Sequence, residues 1–276
     1  MALNHDYVTY LGIMNTICAI FIIVISIFAS SRHRAKKTPI TKTLLQMYAC
    51  YIVSILTALV SVLFDLFDIS TLRNMSDLEI LRPDNQVLVL AHTIFFQINL
   101  LFLMPAIYYM FVFARFVFIQ EEQKGAILVY FVKIMAIIAI ILQFLAIVLL
   151  LSSIIPVMLG ASIDVGLVSW GAVWVPLLAM VIFLVFTFIV AIPILIGAIE
   201  GWHRIPVDDP HRSNFLYLAI MAALVLLMIG FAILETILLE NGVSYPNLGT
   251  LFMWTPALVL QYAAYRGFFS HKSTNS

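Results

Sequence analysis

The chain has 276 residues, of which 64% are hydrophobic and 10% charged, with a formal net charge of zero. Together with a mean hydropathy of +1.11, this is the composition of a chain dissolved in lipid and excludes an ordinary water-soluble domain. The two cysteines, Cys18 and Cys50, both lie in apolar runs, so no disulfide framework outside the membrane is expected.

Apolar stretches of the length that crosses a bilayer, about 20 residues each, run over 8–30, 43–66, 87–114, 126–155, 168–199, 214–239 and 247–266. The expected fold is an all-α integral membrane protein, a seven-transmembrane helix bundle forming one domain over 1–276. The segments between the stretches, such as "SSRHRAKKTP", "STLRNMSDLEILRPDN" and "GWHRIPVDDPHRSN", carry the Gly, Pro, Asn and clustered charge of loops. The first stretch follows Asp6 rather than a basic segment and is too long for a secretory signal, so it is expected to stay in the mature chain.

Charge sets the direction of the spans. Arg32, Arg34, Lys36, Lys37, Lys42, Arg115, Lys124, Arg204, Arg212, Arg266 and Lys272 fall on one side, and only Arg73 and Arg82 on the other. Basic loops stay in the cytoplasm, which predicts an amino terminus outside, a carboxy terminus inside and a multi-pass protein of the cell membrane. Lys133, about two turns into the fourth span, reaches the inner interface by snorkelling. The "NMS" at Asn74 fits a glycosylation acceptor on the predicted outer side.

Polar residues within the spans can then be placed by face and depth. Span two lines up Ser54, Ser61, Asp65 and Asp68 in one stripe. In span three His92 and Asn99, seven residues apart, share a face, whereas Gln97 points about 140° from His92 and is expected to link two helices. Span six brings Glu235 close to its outer end, and span seven presents Thr250, Trp254, Gln261 and Tyr265 on one face. Asp65, His92, Asn99, Glu235 and Trp254, with Trp174 of span five as a wall, thus form a candidate ligand-binding pocket open to the outside. Against it stand ordinary roles: interfacial belts for Trp170 and Trp174, hydration for acids near helix ends, and interhelical bonding for Asn99. His92 beside a carboxylate would serve as a pH sensor or ligand contact. Pro105, Pro176, Pro193 and Pro256 fall inside spans, where each removes a backbone donor and permits a bend.

No catalytic, nucleotide-binding or metal-binding motif occurs, and there is no nucleic-acid footprint, so neither an enzyme nor a cofactor is expected. Span seven contains no lysine, which excludes the Schiff base of a microbial rhodopsin.

The last span reads "WTPALVLQYAAYRGFF": Pro256, then Tyr262-Ala263, then the basic exit Arg266. It resembles the last helix of the seven-helix sensor regions that precede many prokaryotic histidine kinases, and the resemblance extends to the whole chain as topology. About ten residues follow Arg266, without a kinase domain, so the resemblance implies output to a separate cytoplasmic signalling protein. Animal seven-helix receptors match less well, because span seven lacks their Asn-Pro-x-x-Tyr and span three exits through "FARFVF". The main rival is a small-solute facilitator of three helices, a connector and three helices, as in SWEET sugar transporters. That architecture uses prolines in corresponding spans, whereas spans one, two and six have none. The sequence therefore favours a stand-alone membrane sensor for an unidentified small ligand or for pH. A homodimer is compatible with it.

Overall fold

A computed structural model describes residues 5–66, 83–118, 126–160, 164–209, 212–240 and 248–269. All regular elements among them are helical: α1 His5–Ala35, α2 Pro39–Leu66, α3 Pro83–Phe118, α4 Ala126–Met158, α5 Val165–Ser169, α6 Val175–Arg204, α7 Arg212–Glu240 and α8 Leu248–Phe269. Six stretches, within α1, α2, α3, α4, α6 and α7, are long and apolar enough to cross a bilayer. This makes the chain a multi-pass α-helical membrane bundle, since a helix satisfies its own backbone in lipid. The sequon at Asn74, with Asp68, Arg73, Arg82 and Lys124, lies outside the described residues.

The helices outrun the apolar stretches that predict them. α3 has 36 residues, about 54 Å at 1.5 Å each and well beyond a hydrocarbon core of about 30 Å. Loss of hydropathy marks where lipid ends, not where the helix ends. Actual starts and stops have local causes. Thr38 precedes Pro39, the first residue of α2, and its hydroxyl accepts from the Thr41 N–H at 3.2 Å while the Thr41 hydroxyl accepts from the Thr38 N–H at 3.1 Å. This is a reciprocal cap with proline at the favoured first position. After α4 the chain turns through Gly160 at φ 84°, a left-handed conformation that side chains disfavour.

The predicted span 168–199 is interrupted. Between α5 and α6 lies one π turn, Trp170–Trp174, closed by the Val175 N–H donating to the Trp170 carbonyl five residues back. Pro176 has no N–H for a regular bond and its ring crowds the preceding turn, and one wider turn accommodates both. Asp164 caps the start of α5, accepting from the Leu167 N–H at 3.1 Å.

Packing follows chain order around a ring. α1 contacts α2, α2 contacts α3, α3 contacts α4, α4 contacts α6, α6 contacts α7, α7 contacts α8, and α8 closes on α1. α3 and α6 also pack against each other across the ring. One apolar core runs through α1–α4 and α6–α8, with Tyr48, Phe111, Phe186 and Met221 among its buried members. Ile20, Phe28, Ile141, Phe144, Val181 and Ile196 are exposed on the periphery, the arrangement expected where lipid is the solvent.

Candidate functional site

The last turns of α1, α3, α6 and α8 carry Arg32 and Arg34, Arg115, Arg204 and Arg266, which makes theirs the basic end of the bundle. Two polar pairs join α2 to α3 away from it. The Ser54 hydroxyl donates to Asn99 Oδ1 at 2.6 Å, and the Ser61 hydroxyl lies 2.9 Å from His92 Nε2. Ser54, Ser61 and His92 are buried and Asn99 is half-buried. Seven residues separate the pairs on each helix, so both sit in one antiparallel register. Such a spacing returns to the same face after two turns and keeps a straight seam between helices. The Ser54–Asn99 pair is near mid-height, and the Ser61–His92 pair is about 10 Å further from the basic end. One repeat towards the basic end, the register brings Met47 level with Ala106, both buried. The seam thus changes there from polar to apolar.

A third polar contact leaves α3 from another face. Gln97 and Gln143 of α4 are both buried, the Gln143 amide donates to Gln97 Oε1, and it also lies 3.2 Å from the Gln97 carbonyl oxygen. Gln97 therefore links two helices, as its phase suggests. Its partner escaped the sequence reading, although Gln143 is the single polar residue between Lys133 and Ser152. Asn15 was also missed. It is fully buried in α1, with its amide donating to the Leu11 carbonyl at 3.1 Å and Oδ1 without a partner among the described residues.

Of the other expected site residues, the side chains of Glu235 and Trp174 are described. Glu235 is half-buried on α7, where α8 comes unusually close: a Cβ added to Gly249 would stand 2.5 Å from the Glu235 backbone nitrogen. Trp174 is 55% exposed and Trp170 59% exposed. Both indoles lie on the outer surface of the bundle beside the π turn, as interfacial anchors do, and Trp174 does not join the buried polar pairs. Asp65 and Trp254 belong to α2 and α8, but their side chains, like those of Gln261 and Tyr265, lie outside the described residues.

Towards the basic end, Met47, Tyr48, Tyr51, Met110, Met221, Val225 and Leu260 enclose a void of about 10 Å³, room for no more than a single water. Methionine is flexible and polarizable and fills irregular space without fixing it. Among the described residues no group of three or more His, Cys, Asp and Glu is arranged to hold a metal ion. Comparison with known protein families, curated proteins and solved structures finds no match.

Proposed function

We propose that this chain is a seven-helix membrane sensor, with its amino terminus outside and its carboxy terminus in the cytoplasm. α8 is its seventh span. A small ligand or a proton acts on the outer half, and the helices carry the change to a separate cytoplasmic partner. The observation that carries this reading is the α2–α3 seam. Its two register-matched polar pairs tie the outer and middle parts of α3 to α2, and α3 also touches α4 and α6. A ligand that exchanges hydrogen bonds with His92 or Asn99 acts on a helix that packs against three others, α2, α4 and α6, so its displacement reaches all of them.

The contrast along the seam supports a direction for the response. Its outer part is held by directional bonds, while the part near the basic end is packed by methionine, tyrosine and aliphatic side chains. Pro105 and Pro256 lie within α3 and α8 just above that region, where each leaves a carbonyl without its helical partner and eases bending. Asp65, Glu235 and Trp254 complete the proposed outer site, with Trp174 at its rim. A facilitator of three helices, a connector and three helices calls for two bundles. A ring in which α1 closes on α8 and α3 packs on α6 favours one bundle.

Reconstitution in liposomes tests the reading. The expected result is no flux across a panel of labelled small solutes, together with a compound or pH that raises the thermal midpoint of the wild type but not of Asn99→Leu or Glu235→Gln. Flux that those substitutions abolish would instead assign transport.

A further inference from the structure

The α1–α2 junction holds a patch that the proposed sensor site does not use. Arg32, Arg34, Lys36, Lys37 and Lys42 are all exposed there, and no acidic residue occurs between Asp6 and Asp65. The helix end attracts cations in any case, since the last turn of α1 contains Arg32, His33 and Arg34 and the carbonyl end of a helix favours positive charge. That effect accounts for the residues inside α1, but not for Lys36, Lys37 and Lys42 beyond it.

The junction is also rigidly built. Only residues 36–38 separate the two helices. The Thr41 hydroxyl sits at their centre, donating to the Lys36 carbonyl at 2.7 Å while accepting from the Thr38 N–H at 3.1 Å. His33 Nδ1 lies 3.1 Å from the same oxygen. Two helix ends and the intervening turn are thereby pinned to one atom. Ile40, 38% exposed, stands among the cations and offers an aliphatic contact at the same level.

We propose that this junction is a binding surface for anionic lipid headgroups of the leaflet that it faces. A three-residue turn holds its cations against the membrane surface instead of projecting them from it, which suits phosphate-bearing headgroups better than a protein partner. Clustered Lys and Arg beside a span interact with anionic lipid additively, within a Debye length of the surface. Pinning the turn lowers the entropy lost when several cations engage together.

The proposal rests on the sensor reading only for which leaflet supplies the lipid. Nanodiscs expose both leaflets, so the lipid test stands whichever orientation protease protection shows. The full chain is reconstituted in zwitterionic lipid containing a minor fraction of anionic lipid, and the association of spin-labelled anionic lipid is measured relative to spin-labelled zwitterionic lipid. The wild type should prefer the anionic probe, increasingly so at lower salt. Arg34→Gln/Lys36→Gln/Lys37→Gln should reduce the preference at least about threefold. Arg34→Lys/Lys36→Arg/Lys37→Arg should keep it, as should Arg204→Gln, which removes an exposed cation paired with Glu200 at 2.9 Å. No preference in the wild type, an unchanged preference in the triple Gln variant, or an equal loss in Arg204→Gln would each overturn the proposal. Binding of a soluble acidic peptide in place of the lipid, lost in the triple Gln variant, would reassign the patch to a protein partner.

Discussion

Asn99 accepts a 2.6 Å hydrogen bond from Ser54, and seven residues away on each helix His92 meets Ser61 at 2.9 Å. The repeat adds two directional bonds to the apolar packing between α2 and α3. Interhelical hydrogen bonds in membranes average about 0.6 kcal/mol and reach at most about 1.7 kcal/mol. Asn99→Leu should therefore lower stability by about 1 kcal/mol, measured by reversible unfolding in mixed micelles. A double-mutant cycle with Ser54→Ala should recover most of that loss as coupling. Additive single effects would show that the bond contributes nothing to the seam.

The Gln97–Gln143 pair calls for a different outcome. Both amides are buried, so removal of one strands the other in a dry interface at a cost of about 1–3 kcal/mol, whereas removal of both leaves two matched apolar surfaces. Gln143→Leu should be less stable than Gln97→Leu/Gln143→Leu by thermal midpoint in the same detergent. If the double variant is the least stable of the three, the amide contact is a net stabiliser in its own right.

Part of this arrangement was legible in the chain. Hydropathy alone marked the six helices long and apolar enough to cross a bilayer, because a bilayer imposes a length that no soluble core does, but it left their ends to local capping and turn chemistry. Helical phase placed Ser54 with Ser61 and His92 with Asn99 on common faces. It could not pair the two stripes, since their register depends on how far α2 slides along α3, and that is decided by contacts distributed over both helices. Pro176 signalled an interruption, but not that a π turn would absorb it. Gln143 went unread because a lone amide in an apolar run has no phase partner on its own helix. Its meaning lies on α3.

Two glycines with the same sequence appearance should behave oppositely. A Cβ at Gly249 would come within 2.5 Å of the Glu235 backbone nitrogen and 2.7 Å of its Cα, whereas a Cβ at Gly230 would meet nothing within 4 Å. Backbone cannot swing aside as a side chain does, so Gly249→Ala should push α7 from α8 and cost about 1–3 kcal/mol. Gly230→Ala should be neutral or stabilise by up to about 1 kcal/mol through helix propensity. Thermal unfolding of the two variants makes the comparison, and equal midpoints would place the α7–α8 crossing elsewhere.

Orientation gives the prediction on which the outer site depends, and it sets the leaflet that the α1–α2 patch faces. Arg115 lies in the last turn of α3 and Arg266 in the last turn of α8, while the last turn of α1 holds Arg32 and Arg34. All three helices run in one direction if successive spans alternate, so their basic ends fall at the same face as the α6–α7 junction with Arg204 and Arg212. Basic residues next to a span resist translocation. A tag placed after Ser276 should therefore be protected from protease added to intact cells and cleaved after lysis, and a tag before Met1 should be cleaved in intact cells. The reverse pattern would put His92 in the cytoplasmic half of the bundle and turn the proposed outer site into an inner one. Protection of both tags would require an even number of spans, and would remove either α1 or α8 from the membrane.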